Sequence, residues 1–517
     1  MSFRKRFLVV VIIIATITGI LYVGHRNNRL AEEEQENAYY QTQTLYFWYT
    51  DERYTDFLTN AAVEFHASNP DTRVIPVLVS SSEYVKAIND ASVSGENFPD
   101  LYILSNESLE KAYLAGLACK VKNTFRVLDT RFYPKAALDA VTYHKSTIGY
   151  PLTFETTALM YNKTYLQDWV DRVNAGEETA QGEGVSREEM EFSDDESGNM
   201  EFEEEGNETE EAPAETLTLD SIIPQSFDDI YYFSDRYEAK EKVKNLVKWD
   251  VSDVLYNYLF LGNYMLVGGD TGDDSNLIDI YNENTLECMK AYKNLNDIFA
   301  FGSDTDYTST LDEFLDGQAL YTIVSSDAIA KSAQYNADKN AMIEELEAAI
   351  ADKEFEISKI GDASSGVETL NEEIDKLRKD VEAIDVYEYG FAKVPYVKET
   401  LKSRALSVTD AVVINGYSVN KEAAEKFAKF ISMDCASRLY QRTGRLASCL
   451  GAGYEKGSPE AIFQEAYEDS IPLSKLVEAS NLWVQLEITL KEIWDGADPE
   501  ASLKALSEQI NSQIAVE

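Results

Sequence analysis

The hydrophobic and polar positions of this chain change period several times along its length. Leu45-Tyr-Phe-Trp-Tyr49 is a short aromatic run, read as a strand, and Thr50-Asp51-Glu52-Arg53 follows it as a polar loop. Between Phe57 and His66 the residues Leu58, Ala61, Ala62 and Phe65 recur at three- and four-residue steps, the stripe of an amphipathic helix. Arg73–Val79 reads as a second strand, Tyr84–Ala91 as a second helix and Pro99–Leu104 as a third strand. This β-α-β-α-β alternation predicts an α/β fold with a largely parallel sheet and helices on both faces. Ligands of such sheets bind beyond the carboxyl ends of the strands. Those ends carry Asp51, Glu52 and Arg53 after the first strand, and Ser105, Asn106 and Glu107 after the third.

The stretch Gly149–Lys163 has three parts. Tyr150–Phe154 is extended, because Pro151 pushes the residue before it out of the helical region. Glu155-Thr156-Thr157 puts a charge beside two hydroxyls, and Ala158–Tyr161 is an apolar strand ended by Asn162-Lys163. A charge at the mouth of a buried strand suits a ligand contact; a strand with a solvated acidic start has the same pattern. Further on, Ser226 is placed to cap a helix with Asp228 and Asp229 in its first turn. Trp249, Tyr256, Tyr258, Phe260 and Tyr264 make the segment 247–264 aromatic-rich, and most of these rings read as core.

Two insertions break the pattern. Sixteen acidic residues and one basic residue lie between Glu177 and Glu211. Such a segment buries too little surface to offset its ordering entropy, so 173–216 is expected to be a disordered acidic insertion. It lacks the alternating oxygen ligands and central glycine of a calcium loop. In the second, Ile343, Leu346, Ile350, Ile357 and Ile360 precede Gly361–Gly366, and Val367, Leu370, Ile374, Leu377, Val381 and Ile384 follow it. This spacing predicts an antiparallel coiled-coil hairpin over 336–386, roughly 30 Å long, serving as a partner surface or carried as a tolerated insertion.

Length and charge narrow the class. A chain of 517 residues exceeds one compact core. The balance of 92 acidic against 46 basic residues argues against nucleic-acid binding and suits a surface protein. Arg4-Lys5-Arg6 precedes an uncharged run from Phe7 to Val23, seventeen residues that span about 25 Å as a helix. The sequence after it is a poor cleavage site, so residues 7–23 are expected to remain as a single-pass membrane anchor, within an N-terminal segment 1–28, with a cleaved signal peptide as the alternative. The bulk of the chain then lies outside the cell, with 29–44 as a tether. Cys435 and Cys449 are fourteen apart and could pair there, while Cys119 and Cys288 read as core. No cysteine or histidine spacing suggests a metal, and no cofactor is expected.

Several segments, in order, resemble extracellular solute-binding proteins of ABC transporters, most of all the maltose-binding, carbohydrate-specific branch. Tyr150-Pro151, Glu155, Leu159 and Tyr161-Asn162-Lys163 match a segment that crosses between two lobes in that family. Gly95 with Pro99-Asp100, the helix start at Ile222–Ile230, Leu311–Val324, Tyr389–Pro395, Ala411–Asn420 with the helix after it, and Thr443-Gly444-Arg445-Leu446 are similar to other family segments. The resemblance implies a two-lobed periplasmic-binding-protein type II fold, with 45–153 and 405–452 as one lobe and 154–404 and 453–517 as the other. It implies ligand contacts at Glu52 and Arg53 in the first loop, at Asn106 and Glu107 after the third strand, and at Glu155. It also implies them at Tyr256, at Asp327 and at Trp483, the last stacking on a sugar. Leu104 stands where the family often has an aromatic, and Ser325-Ser326-Asp327 where it has Gly and Trp, so that wall is more polar.

The reading expected from all this is an anchored extracellular binding protein that delivers a sugar to the permease subunits of an ABC importer. The alternative is a membrane-anchored sensor or adhesion protein on the same scaffold, favoured by the anchor, the lost Gly-Trp wall and the hairpin. A glycoside hydrolase using Asp51 or Glu52 with Glu155 has the minimum of two carboxylates, but such pairs abound in so acidic a chain. No nucleophile–base pair is evident, and no enzyme is expected.

Overall fold

The computed structural model describes residues 43–80, 82–95, 98–177, 216–360 and 365–514. The run 7–23, the tether except Gln43 and Thr44, and most of the acidic insertion lie outside these residues. Among the described residues, no helix is long and apolar enough to cross a membrane.

One mixed sheet organises the molecule. Its strands are β1 (Gln43–Tyr49), β2 (Thr72–Leu78), β3 (Leu101–Ser105), β4 (Tyr150–Asn162), β5 (Asn245–Val247), β6 (Ala319–Ser325), β7 (Tyr389–Ala392), β8 (Leu406–Ile414), β9 (Leu446–Ala447) and β10 (Ile471–Pro472). They run in the order β2-β1-β3-β8-β4-β6-β5, with β7 and β9 beside β4 and β10 beside β8. The alternating start of the chain gives the parallel trio β2-β1-β3. The expectation of a largely parallel sheet fails through the middle of the sheet, because β3–β8, β8–β4 and β4–β6 are antiparallel, and parallel pairing returns only at β6–β5 and β8–β10. Two distant strands supply these pairings, and no local period announces them.

β4 is a single strand of 13 residues rather than a crossing segment followed by a strand. Residues 150–156 pair with β8, while 157–161 pair with β6. The chain thus passes from one half of the sheet to the other between Thr156 and Thr157, and Glu155 sits at that switch. Pro151 is tolerated inside the strand because the pairing with β8 shifts register there, between Asp410 and Ala411. Alternate side chains point to opposite faces. Leu159 therefore enters one core, built on Leu166, Trp169, Trp249, Phe260 and Trp494, while Ala158 and Met160 enter a second, with Phe47, Leu58, Phe427 and Leu439. A third cluster, with Tyr102, Leu109, Val141 and Val413, covers the other face of β3 and β8.

Ser226 caps its helix as expected, its Oγ accepting from the Asp229 N–H at 3.2 Å. The hairpin differs from expectation at both ends. Its first helix, Asp327–Ile360, begins directly after β6, so the insertion prolongs a helix of the fold instead of starting at 336. The second runs Ser365–Glu382 and packs antiparallel to the first, with Lys353 paired to Glu373 and Arg378 to Glu354. Near the root, Asn336 Nδ2 donates to the Tyr387 carbonyl and Lys339 Nζ to that of Asp385. Cys435 and Cys449 are buried free thiols and do not pair.

Candidate ligand site in the cleft

The end of β1 supplies the first group. Asp51 stops the strand and caps the short turn Glu52–Tyr54, accepting from the Arg53 N–H. The Arg53 guanidinium closes back on the same carboxylate at 2.7 Å. Burial alone raises the Asp51 carboxyl, but these bonds outweigh it and hold it below its ordinary value. The second group comes from far along the chain. The helix Ala436–Thr443 ends at Gly444, whose φ of 66° is the left-handed turn that glycine favours. That turn aims Arg445 at Asp51, 3.2 Å away, and at Glu155 on β4, 3.3 Å away. The other Glu155 oxygen accepts from the Ser326 N–H at 2.7 Å, where β6 meets the long helix. Burial pushes the Glu155 carboxyl up, against the pull of Ser326 and Arg445.

A cavity of about 610 Å³ opens on this bridge. Asp51, Tyr54, Tyr84, Glu107, Asp410 and Arg445 line it. Asp410 accepts from Thr153 Oγ1 at 3.3 Å, and Thr153 Oγ1 also lies 2.7 Å from the Tyr54 hydroxyl. Burial raises both Glu107 and Asp410, and Asp410 raises Glu107 further. On the other side of Glu155 stands a polar wall. Asp327 accepts from Tyr307 at 2.5 Å and Ser325 at 2.7 Å, and pairs with Lys331 at 2.6 Å. Burial opposes ionisation of Asp327, but Lys331, Tyr307 and Ser325 together hold it low. The Tyr256 ring stacks on Tyr307 with centroids 4.8 Å apart. This arrangement offers carboxylates and hydroxyls, groups that take up a polyol.

Of the residues expected from sequence, the structure brings Arg53, Glu107, Glu155, Tyr256 and Asp327 to this region. Three are placed elsewhere. Glu52 is exposed and does not line the cavity, because the capping turn directs Asp51 inward instead. Asn106 is fully buried with both ends of its amide engaged: Nδ2 donates to the Leu473 carbonyl at 2.5 Å and Oδ1 accepts from the Thr409 N–H at 2.8 Å. It ties chain segments together and has no face left for a ligand. Trp483 meets Tyr258 edge-on at 5.8 Å and lines a different cavity, of about 340 Å³, with Leu266 and Pro472. Asp410 and Arg445 were missed. Asp410 had a signal, the one charge in β8, directly before the apolar run Ala411–Ile414, whereas Arg445 had only the Thr-Gly turn before it. Among the described residues, no group of three or more His, Cys, Asp or Glu side chains is set to hold a metal ion.

No curated protein matches the chain by sequence. Solved structures do match by shape. An extracellular solute-binding protein from Staphylococcus aureus in complex with maltose is 15% identical, with a TM-score of 0.63 over 92% of this chain and 98% of that one. The sugar-binding protein MalE from Xanthomonas citri is 11% identical with a TM-score of 0.64, over 92% and 98%. Maltose-binding protein MalE from Listeria monocytogenes, in complex with maltose, is 17% identical with a TM-score of 0.61, over 92% and 99%. These likenesses establish the two-lobed α/β fold. The sequence itself matches the profile of the bacterial extracellular solute-binding proteins over residues 60–444, most of its length. With that match, and with a cleft site strung between two halves of one sheet, the chain belongs to the bacterial extracellular solute-binding protein family.

Proposed function

We propose that this protein binds a carbohydrate outside the cell and delivers it to the permease of an ABC importer. The observation that carries the reading is the bridge Asp51–Arg445–Glu155–Ser326, which runs from the cavity wall through the β4 switch to the start of the long helix. A sugar in the cavity would donate hydroxyl hydrogen bonds to Asp51, Glu107 and Asp410, with Glu155 behind Arg445 at the β4 switch. The maltose complexes of the structural relatives support this ligand class. Residues 7–23 serve as the anchor, and the division into lobes falls on either side of Thr156 and Thr157. The hairpin is a short coiled coil.

A thermal-shift screen of the full chain against maltose, maltotetraose, amino acids and polyamines tests the reading. A ligand at a hundred times its Kd stabilises by about 2.7 kcal/mol. Sugars are expected to raise the melting temperature, and a response only to amino acids or polyamines would overturn the carbohydrate assignment. One observation favours a sensor as the second reading. The helix that starts at Asp327 in the polar wall runs unbroken into the hairpin, so a ligand-induced shift there reaches an exposed arm.

A further inference from the structure

Lys475 is fully buried, just past β10. Its Nζ donates to two backbone carbonyls, that of Thr271 and that of Asp139 at 3.2 Å. Thr271 belongs to the loop Gly268–Asp274, which is tied to the Lys475 segment. The Lys475 N–H donates to the Gly272 carbonyl at 3.0 Å, and Ser474 Oγ to the same oxygen at 3.1 Å. Gly272 has a φ of +63°, and a Cβ there would lie 2.9 Å from the Ser474 Cα, so the two backbones touch. Asp139 lies on the helix Lys135–Ala140 on the far side of the contact. Three further bonds cross here. The His144 N–H donates to Asp273 at 2.5 Å, Lys135 pairs with Asp270 at 3.1 Å, and the Val477 N–H donates to Glu110 at 2.7 Å.

The partners on the two sides belong to separately packed bodies. Leu109, Val141 and Tyr143 pack beneath β3 and β8, whereas Val267, Leu473 and Leu476 pack with Trp249 and Trp494. None of the bonded residues lines the 610 Å³ cavity. This is a contact between the lobes, away from the ligand site, with an amine at its centre.

The chemistry of that amine is unusual in one respect. Its hydrogen-bond partners are carbonyl oxygens, while Asp273, Asp139 and Glu110 act on it only through space. A neutral amine has two N–H groups, which matches the two carbonyls, so deprotonation does not break the contact. Burial pushes the Lys475 ammonium down to about 8, against the pull of those three carboxylates. Once the lobes part here and water reaches the amine, its ordinary value of 10.5 returns.

We propose that Lys475 is a proton-weakened pin between the lobes, a positioning residue that holds loop 268–274 against the helix 135–140 more tightly once it has lost its proton. The sign follows from linkage. Between pH 8 and 10.5 the parted form binds more protons than the pinned form, so raising the pH in that window favours the pin. Below 8 both forms are charged and the dependence flattens. The other charged and titratable groups facing the contact are Glu110, Lys135, Asp139 and His144 from one side and Asp270, Asp273 and Asp274 from the other. Their contributions remain in a Lys475 variant and are subtracted by comparison with it.

The test is backbone amide hydrogen exchange on the full chain from pH 7 to 10, read as protection factors for segments 135–148 and 266–279. Protection in the native protein is expected to be level below pH 8 and to rise above it, by up to about tenfold per pH unit for one proton. Lys475→Met removes the titrating group and is expected to flatten the rise. Lys475→Arg keeps a permanent charge and is expected to be flat and less protected. A level native profile overturns the proposal, even if neither variant folds. So does an equal rise in the Met or Arg protein.

Discussion

Glu155 carries two bonds with different partners, and its substitution separates them. In Glu155→Gln the amide oxygen still accepts from the Ser326 N–H, but the charge that faces Arg445 is gone. If Glu155 takes a sugar hydroxyl, losing a charge-assisted hydrogen bond costs roughly 1.5–3 kcal/mol, about ten- to a hundredfold in affinity. Calorimetry with whichever sugar the screen returns should read that loss while the melting temperature stays close to native. Trp483→Ala is expected to do the opposite. Its ring packs on Tyr258 beside the Trp249 core, so truncation should cost roughly 1–3 kcal/mol of stability, less than for a fully buried Trp, and leave affinity unchanged. A large affinity loss in Trp483→Ala without destabilisation would return that residue to the ligand site. Asp327 gives the pH dependence. Its folded value is held below 3.8, so the stability it contributes is present above 3.8 and is lost as pH falls through the folded value. Asp327→Asn should therefore show a shallower fall in melting temperature between pH 5 and 3 than the native protein.

At the scale of elements, both insertions leave from points that the fold holds together. Asn174, at the end of the helix Lys163–Asn174, donates through Nδ2 to the Leu217 carbonyl at 2.9 Å and accepts from the Leu217 N–H at 3.0 Å. The two ends of the acidic segment are thus pinned side by side. Joining Gly176 to Ala212 is expected to move the melting temperature by no more than a few degrees, since closure entropy varies slowly with loop length. The hairpin is similar. Lys339 and Asn336 hold its two legs at the root, and beyond them its cross-links are internal. Replacing residues 343–380 with a short glycine turn should leave sugar affinity and the main thermal transition intact. Loss of the main transition on this deletion would show that the hairpin supports the lobes. The helix periods of the hairpin were plain in the sequence, because Val367 to Val381 keep one face apolar. The start of its first helix was not. Asp327–Tyr335 packs on the lobe, and its burial depends on Tyr307 and β6 rather than on its own spacing.

At the scale of the whole molecule, a solute-binding protein works by bringing two lobes around a ligand. In this structure the 610 Å³ cavity is lined by groups from the β1, β3 and β8 side, while Tyr256 and Asp327 stand across Glu155 from it. Saturating sugar is expected to draw the second wall onto the first. Small-angle scattering should then report a smaller radius of gyration with sugar than without. No change in radius alongside measured binding would mean that the solute is held by one lobe alone.

What the sequence determined is what local chemistry controls. The alternation of strand and helix at the start, the cap at Ser226, the two helices of the arm and the charge at the strand switch depend on neighbours within a few turns. The two-lobed family was legible because short motifs such as Tyr150-Pro151 and Tyr161-Asn162-Lys163 recur in order. Tertiary structure decided the rest. Glu155 and Arg445 are 290 residues apart and meet only because β4 and β9 pair. Asp51 rather than Glu52 faces the cavity because one capping bond sets the turn. Asn106 is a structural amide because Leu473 and Thr409 arrive to occupy it. Lys475 has nothing in its local sequence to mark it, since a lysine after Ser474 reads as solvent. It becomes a buried amine only where loop 268–274 and helix 135–140 close over it, and such long-range closures carry no signal in the period of the chain.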